Sequence, residues 1–493
     1  MIEYKSITEI ERLLGDAQEA FFVLKSKNYQ ERAAFMHLVA DEIEALGDEL
    51  LEAANAETNL PMARLTGEKG RTVHQWRSYG DALARGNVLD VRIDTANAER
   101  TPPKPDLRKG YAGIGPVLVF GASNFPFAFS TLGGDTASAI AAGCPVIVKA
   151  HSGHKETAAI MAKAMYSAIE KAGWHPGTFT QVFSKTYDVA TFLVSHPIIK
   201  AVGFTGSYNG GKMFFDLANQ RPDPIPVFAE MGSVNPVFLF EGKLQSSGET
   251  VAKQYIASLT LGVGQFCTNP GILFVPESEA LPGFMDVLKE EILKVAPAAM
   301  LNAGIASAYH KNKVHVSGQE GVEIIAAVAE GEEHQGNPML AKATAENFLA
   351  NPNLGHEVFG PFGLLVTYQS IAQLEEVAKK LEGQITISLL AEPEDLRANP
   401  VVVSLLQDKC GRYLVNNFPT GVEVAYAMNH GGPFPASSDG RFTSVGPDAI
   451  KRFARPVSYQ NFGDEFLPDE LKDANPLGIW RTLDGELTQK PVK

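Results

Sequence analysis

Cys267 stands in the run Gly262-Val263-Gly264-Gln265-Phe266-Cys267-Thr268-Asn269, after an apolar helical stretch and before an apolar strand. Glycines ahead of it let other backbone approach closely. A thiolate there can attack a carbonyl carbon, and neighbouring backbone N–H groups can hold the resulting oxyanion. An isolated free cysteine is more often a small buried hydrophobe; Cys144 and Cys410, each directly ahead of an apolar run, fit that description. Glu230, in Phe228-Ala229-Glu230-Met231-Gly232-Ser233-Val234-Asn235-Pro236, ends another apolar run and precedes a glycine turn. Burial at a strand end raises a carboxyl pKa toward general-base duty. The plainer alternative is a surface glutamate. Asn124, in Gly121-Ala122-Ser123-Asn124-Phe125-Pro126-Phe127, can donate its amide N–H to a developing oxyanion, or simply occupy a tight turn.

Two further segments suit a nucleotide. Lys149 ends the apolar run Val146-Ile147-Val148-Lys149 and can reach a ribose hydroxyl or a phosphate; equally, it can snorkel to water. Phe204-Thr205-Gly206-Ser207 follows another apolar run and opens a helix, so Gly206 and Ser207 offer N–H groups and a hydroxyl to a phosphate. Neither dinucleotide-fingerprint nor P-loop spacing is present.

These residues need strands and helices to position them. Short apolar runs at 116–121, 145–149, 179–183 and 201–204 read as buried strands, with helices at 136–142, 155–172, near 188–195 and from 209. That alternation predicts a doubly wound parallel sheet, whose ligands sit beyond the carboxyl ends of its strands. A second α/β pattern follows from about 235 to 421, with helices over 248–261 and 281–295 and strands over 271–275, 364–368 and 413–416. Upstream, apolar residues three and four apart predict one helix over 29–58. Around Thr101-Pro102-Pro103-Lys104-Pro105, two extended arms predict a projecting β-hairpin. Residues 300–356 resist assignment.

Composition narrows the function classes. Hydrophobic residues at 45% and charged residues at 20% are globular proportions. A net charge of −14 argues against nucleic acid or anionic membrane as partner. No window approaches the apolar length of a spanning helix, and Met1-Ile2-Glu3-Tyr4-Lys5 does not open like a secretory leader. Three cysteines without CxxC spacing give neither a disulfide framework nor a structural zinc site. The expectation is a cytoplasmic protein with no metal.

Together the segments resemble the aldehyde dehydrogenase superfamily over about residues 110–430. The matching motifs, in family order, are Ser123-Asn124-Phe125-Pro126, Lys149, Phe204-Thr205-Gly206-Ser207, Glu230-Met231-Gly232, Gly264-Gln265-Phe266-Cys267 and Glu357-Val358-Phe359-Gly360-Pro361. The resemblance implies an α/β fold with a dinucleotide-binding domain (1–90 and 114–234) and a catalytic domain (235–430). It assigns an oligomerisation arm and C-terminal segment to 91–113 and 431–493. It implies Cys267 as nucleophile, Glu230 as the base that activates water, and Asn124 as oxyanion donor. Lys149, Gly206, Ser207, Gly232, Glu357 and Phe359 would hold the dinucleotide. It also implies a homodimer or homotetramer, with the arm and Val457-Ser458-Tyr459-Gln460-Asn461-Phe462 pairing across subunits.

Two departures carry information. NAD-using members usually have Lys-Pro-Ser-Glu, whose glutamate binds the adenosine ribose. Here the segment is Lys149-Ala150-His151-Ser152, and Ser152 would not repel a 2′-phosphate. NADP is therefore the expected preferred cofactor, with NAD as the alternative. The second departure is His430-Gly431-Gly432-Pro433-Phe434-Pro435-Ala436-Ser437-Ser438. With Phe125-Pro126-Phe127-Ala128-Phe129-Ser130, it resembles the branch of bacterial 2-oxoglutarate semialdehyde (2,5-dioxovalerate) dehydrogenases. An NADP-dependent fatty aldehyde dehydrogenase shares much of the pattern, and Phe125, Phe127, Phe266 and Phe434 could line an apolar tunnel, with His430 nearby. A CoA-acylating enzyme is disfavoured by Glu230, and a noncatalytic relative by retention of the whole set. A dioxovalerate needs a cationic site for its far carboxylate, for which Arg412 and Arg441 are available.

Overall fold

The computed structural model describes residues 5–184 and 187–492; residues 1–4, which carry most of the opening segment considered above, lie outside them. Ser6 caps α1 (Ile7–Leu24) and Asn28 caps α2 (Tyr29–Ala45), each with a glutamate three residues on that completes a capping box. The single helix expected over 29–58 is two. Leu46 turns extended, and α3 (Asp48–Thr58) starts afresh after Gly47. Glycine is a poor helix-interior residue, while Asp48 and Glu49 complement a new helix N-terminus. α4 (Met62–Arg85) ends on Gly86 at φ 74° and packs against α2. β1 (Arg92–Asp94) and β2 (Leu107–Gly113) then pair antiparallel around the proline turn.

The regular alternation follows: β3 (Val117–Phe120), α5 (Gly134–Ala142), β4 (Val146–Lys149), α6 (Lys155–Ala172), β5 (Phe179–Val182), α7 (Tyr187–Ser195), β6 (Ala201–Thr205), α8 (Tyr208–Asn219) and β7 (Val227–Glu230). All five strands are parallel, in the order β5-β4-β3-β6-β7. β3, β5 and β7 are buried at every position, which is why β3 is wholly apolar and β7 is apolar up to Glu230, while β5 also buries Thr180 and Gln181. The chain winds outward from β3 in both directions, so a ligand crevice belongs at the carboxyl ends of β3 and β6. Asn124, Lys149, Ser207 and Glu230 all lie at or just beyond carboxyl ends of this sheet.

The second α/β unit comprises β8 (Val237–Leu239), α9 (Glu241–Thr260), β9 (Ile272–Pro276), α10 (Leu281–Leu293), β10 (Ala298–Ala299), α11 (Ala303–Ser317), β11 (Glu323–Ala327), β12 (Gln335–Gly336), β13 (Met339–Thr344), α12 (Ala345–Ala350), β14 (Phe362–Tyr368), α13 (Ile371–Lys380), β15 (Gln384–Leu390), α14 (Pro393–Ala398), α15 (Pro400–Gln407) and β16 (Cys410–Val415). Its seven-stranded sheet runs β11-β13-β14-β9-β8-β15-β16, parallel except for β11 at one edge. α9 begins earlier than expected because it is kinked at Ser247, whose φ of −148° is not helical.

A third sheet, β17-β2-β1-β18-β19, adds β17 (Ala454–Gln460), β18 (Arg481–Leu483) and β19 (Glu486–Thr488) to the hairpin. The segment expected to pair across subunits pairs on one side with β2 of its own chain, Gln460 opposite Leu107 and Val457 opposite Gly110, and forms the edge of this sheet. Among the described residues, no helix is long and apolar enough to cross a membrane.

Candidate active site

The loop bearing Cys267 is built from unusual backbone. Gly262, Val263 and Gly264 lie at φ 58°, 60° and 65°. A β-branched residue in that region stores about 1–2 kcal/mol of strain. A Cβ on Gly264 would lie 2.3 Å from the Gly360 carbonyl carbon, so only glycine fits. Asn235 Nδ2 anchors the far side of the loop, donating to Cys267 O (2.8 Å) and Asn269 O (3.0 Å). The Gln265 side chain accepts from Leu301 N at 2.9 Å. Asn124, 8% exposed, donates one amide N–H to Gln265 O at 3.1 Å, two residues from Cys267, and keeps its second.

Glu230 ends β7 beside Thr205 and is 5% exposed. Residues after His430 return along this strand: Met231 N donates to Ala436 O (2.8 Å) and Ser438 N to Ala229 O (2.9 Å). That return carries His430, fully buried, against both the carboxylate and the thiol. His430 Nε2 lies 3.1 Å from Glu230 Oε1 and 3.6 Å from Cys267 Sγ. Ser444 Oγ donates to Glu230 Oε2 at 3.0 Å. His430 N is held by Thr443 Oγ1 at 2.9 Å, and His430 O accepts from Ser444 N at 2.8 Å.

The electrostatics correct one expectation. Burial pushes the Glu230 carboxyl up, but the adjacent His430, with hydrogen bonds from Ser444 and Cys267, leaves it below its ordinary value. Burial pushes the Cys267 thiol well above its usual range, and the neighbouring Glu230 charge adds to this while Arg71 opposes. The resting pair is therefore a thiol beside a carboxylate.

Among the residues expected to meet a nucleotide, Lys149 is half-buried, and burial together with Lys155 lowers its pKa. Ser152 is exposed in the following turn. His151 Nδ1 accepts from Gly153 N at 3.0 Å; burial, then His154 and Lys149, push its pKa down to about 3, so it is neutral. Ser207 caps α8, its Oγ accepting from Gly210 N, and Gly206 N donates to Glu230 O at 3.1 Å. Glu357 folds against Gly232, where an added Cβ would meet Glu357 Oε2 at 2.5 Å. Burial pushes the Glu357 carboxyl up to about 7, against a hydrogen bond with the Ser233 backbone. Glu357, Phe359, Phe266 and Ser233 line a cavity of about 350 Å³. Glu230, His430, Thr205 and Ser444 line another of about 310 Å³.

The aromatic expectations divide. Phe125 and Phe266 meet edge to face at 5.6 Å. Phe127 does not join them: it is fully buried in the core, and its N–H donates to Glu68. Phe129 takes the place by the site, 5.4 Å from Phe125 and 6.1 Å from His430. Phe434 is 53% exposed and packs on Tyr208, because the loop after His430 runs along β7 toward α8. Of the two candidate arginines, Arg441 points to solvent paired with Asp439, whereas Arg412 is partly buried and its pKa responds to the Cys267 charge. Ser444, Phe129, Arg64 and Arg71 belong to the site's surroundings without having been singled out in the sequence.

Comparison with known proteins bears on this arrangement. The profile of the "Aldehyde dehydrogenase family" matches residues 2–456. The chain is 47% identical to the alpha-ketoglutaric semialdehyde dehydrogenase 2 of Azospirillum brasilense, over 97% of this chain and 91% of that one. It is 46% identical to the alpha-ketoglutaric semialdehyde dehydrogenase of Acinetobacter baylyi, over 98% and 92%. Among solved structures, the succinic semialdehyde dehydrogenase of Streptococcus pyogenes with NADP+ superposes at a TM-score of 0.76, with 16% identity, covering 93% of this chain and 96% of that one. At that identity the likeness is one of fold.

Proposed function

This chain belongs to the aldehyde dehydrogenase family, and we propose that it oxidises 2-oxoglutarate semialdehyde to 2-oxoglutarate with NADP as preferred cofactor. The observation that carries the reading is the juxtaposition of thiol, imidazole and carboxylate, with an amide donor beside them. The substrate rests on the two relatives of 46–47% identity.

A raised thiol pKa makes thiolate scarce at neutral pH, so the Cys267 proton must leave as the sulfur attacks. His430 Nε2 is placed to take it, and Glu230 to stabilise the imidazolium. The carbon–sulfur bond forms and the carbonyl electron pair moves to oxygen. The free Asn124 N–H and the Cys267 backbone N–H hold that oxyanion. The chemistry a bound nicotinamide dinucleotide supplies is acceptance of the hydride from this carbon, which leaves a thioester on Cys267. Glu230, an ionised carboxylate, then draws a proton from water. Hydroxide adds to the thioester, the carbon–sulfur bond breaks, and the acid departs.

The residues present fit such a cofactor. Lys149 and Ser207 flank the crevice at the strand ends, Gly232 leaves no room for a side chain, and Glu357 holds a carboxyl where it can accept ribose hydroxyls. The segment after Lys149 carries no carboxylate to repel a 2′-phosphate, which supports NADP. In this reading the five-stranded parallel sheet is the cofactor domain, the seven-stranded unit is the catalytic domain, and the enzyme is a cytoplasmic homo-oligomer. The fatty-aldehyde alternative loses Phe127 and Phe434, two of the four rings its tunnel requires. The test is NADPH formation with 2-oxoglutarate semialdehyde, succinate semialdehyde and hexanal, each repeated with Cys267→Ala. The reading expects the first to have the highest kcat/KM and the variant to be inactive. A preference for hexanal would overturn the substrate assignment.

A further inference from the structure

A dicarboxylic semialdehyde presents a carbonyl to Cys267 and an anion at its other end, so the reading above requires cations facing the nucleophile. α4 carries Arg64 and Arg71 seven residues apart, two turns and therefore one face. Arg64 lies over the rings of Phe125 (4.6 Å) and Phe266 (5.1 Å), and its Nη2 donates to Asn124 O at 3.0 Å. Arg71 lies over Phe129 at 5.3 Å, and its Nε reaches Val422 O at 3.5 Å. From β16, Arg412 Nη1 donates to Gly421 O at 2.7 Å and Nη2 to Pro419 O. Gly421 and Val422 are consecutive, so guanidinium groups from two distant elements meet on one stretch of loop. Both belong to the nucleophile's surroundings: Phe129 neighbours His430, and Asn429 Nδ2 donates to Gly411 O, next to Arg412.

Neither Arg71 nor Arg412 forms a close ion pair among the described residues, and Arg412 Nε is buried without a hydrogen-bond partner. The nearest buried acid, Glu68, accepts from the Phe127 and Ala128 N–H groups and lies 3.8 Å from Arg64. Arg71 Nη1 meets only the neutral Gln75 side chain, at 3.5 Å. A guanidinium has five N–H donors and cannot shed its charge, so partial burial without a counter-ion is costly unless an anion arrives. Burial pulls down the pKa of both arginines; Tyr79, Glu68, Cys267 and Glu423 oppose it for Arg71, and Cys267 for Arg412, so both lie within electrostatic reach of the sulfur.

We propose that Arg71 and Arg412 together form the subsite for the far carboxylate of the aldehyde substrate, selecting ω-carboxylated aldehydes over uncharged ones. This rests on the substrate reading above and assigns residues to it. An apolar aldehyde would leave both guanidinium groups without an anion in a partly dehydrated pocket, which is a penalty against it as well as a missing attraction.

The experiment compares kcat/KM for 2-oxoglutarate semialdehyde and for hexanal in the parent, Arg71→Met, Arg412→Met and the two Arg→Lys variants. Loss of a buried charge partner should lower the ratio of the two constants by about thirtyfold or more in each Met variant, chiefly through KM. The Lys variants should recover part of it. As a readout free of turnover, 2-oxoglutarate should slow iodoacetamide labelling of Cys267 in the parent, with weaker protection in the Met variants. A parent that favours the carboxylated aldehyde, with variants whose ratio stays within about threefold of it, overturns the subsite alone. A parent without that preference overturns the substrate reading, and the subsite with it.

Discussion

His430 Nε2 lies 3.1 Å from Glu230 Oε1 and 3.6 Å from Cys267 Sγ, with the imidazole fully buried. The pairing joins the end of a parallel strand to a loop two hundred residues later, and it gives the thiol proton a destination. Replacing His430 by Ala should lower kcat/KM and the neutral-pH rate of Cys267 alkylation by about a hundredfold. The sign of the pH effect follows from the raised thiol pKa. Without the imidazole, reactive thiolate grows only as pH climbs toward that pKa, so the rising limb of the alkylation profile should move to higher pH. An unchanged profile would leave His430 as packing.

Asn124 donates one amide N–H to Gln265 O, and its second is the donor proposed for the oxyanion. Asn124→Ala should lower kcat by about a hundredfold, the usual cost of one oxyanion donor, with little change in cofactor KM. A loss confined to cofactor KM would place the residue elsewhere.

Glu357 offers a pH test on the cofactor side. Its carboxyl is pushed up to about 7 by burial. Below that pH it is neutral and gives up acceptor capacity; above it, the carboxylate accepts hydroxyl hydrogens. Cofactor KM should therefore fall as pH rises from about 6 to about 8, and Glu357→Gln should flatten the dependence. Isotherms for NADP at the two pH values check this directly.

Gly232 is close to Glu357 Oε2 where any side chain would begin. Gly232→Ala should displace the carboxylate and weaken NADP by about tenfold while the fold is kept. Calorimetric titration with a thermal melt separates the two effects. Unaltered NADP affinity would show that the contact does not matter to the nucleotide.

Local signals were readable in the chain, and distant ones were not. Cys267, Glu230 and Asn124 sit in short segments whose glycines, apolar flanks and turns declare their positions. The β3-to-β7 alternation is equally plain, because strands buried on both faces are mostly apolar and stand out between helices. Ser444 reaches Glu230 across 214 residues, and only the tertiary return of the chain brings them together. Arg64 and Arg71 look like a solvated helix face, since nothing within α4 reveals that its other side meets aromatic rings. Phe127 and Phe129 exchange roles because they lie in a turn, where the alternation of a strand does not apply. The break at Gly47 was legible but outweighed by unbroken apolar spacing on either side. Residues 300–356 hold α11, whose apolar and polar residues are mixed around the helix, and otherwise short strands and helices too brief for a period to show.

The covalent step is the centre of the account. Glu230→Gln should still permit attack and hydride loss but slow thioester hydrolysis. Mixed with 2-oxoglutarate semialdehyde and NADP and quenched in acid, it should give a burst of NADPH close to one per subunit. The peptide containing Cys267 should then carry the mass of the acyl group. NADPH formation with that peptide unmodified, and no burst, would contradict a thioester on Cys267.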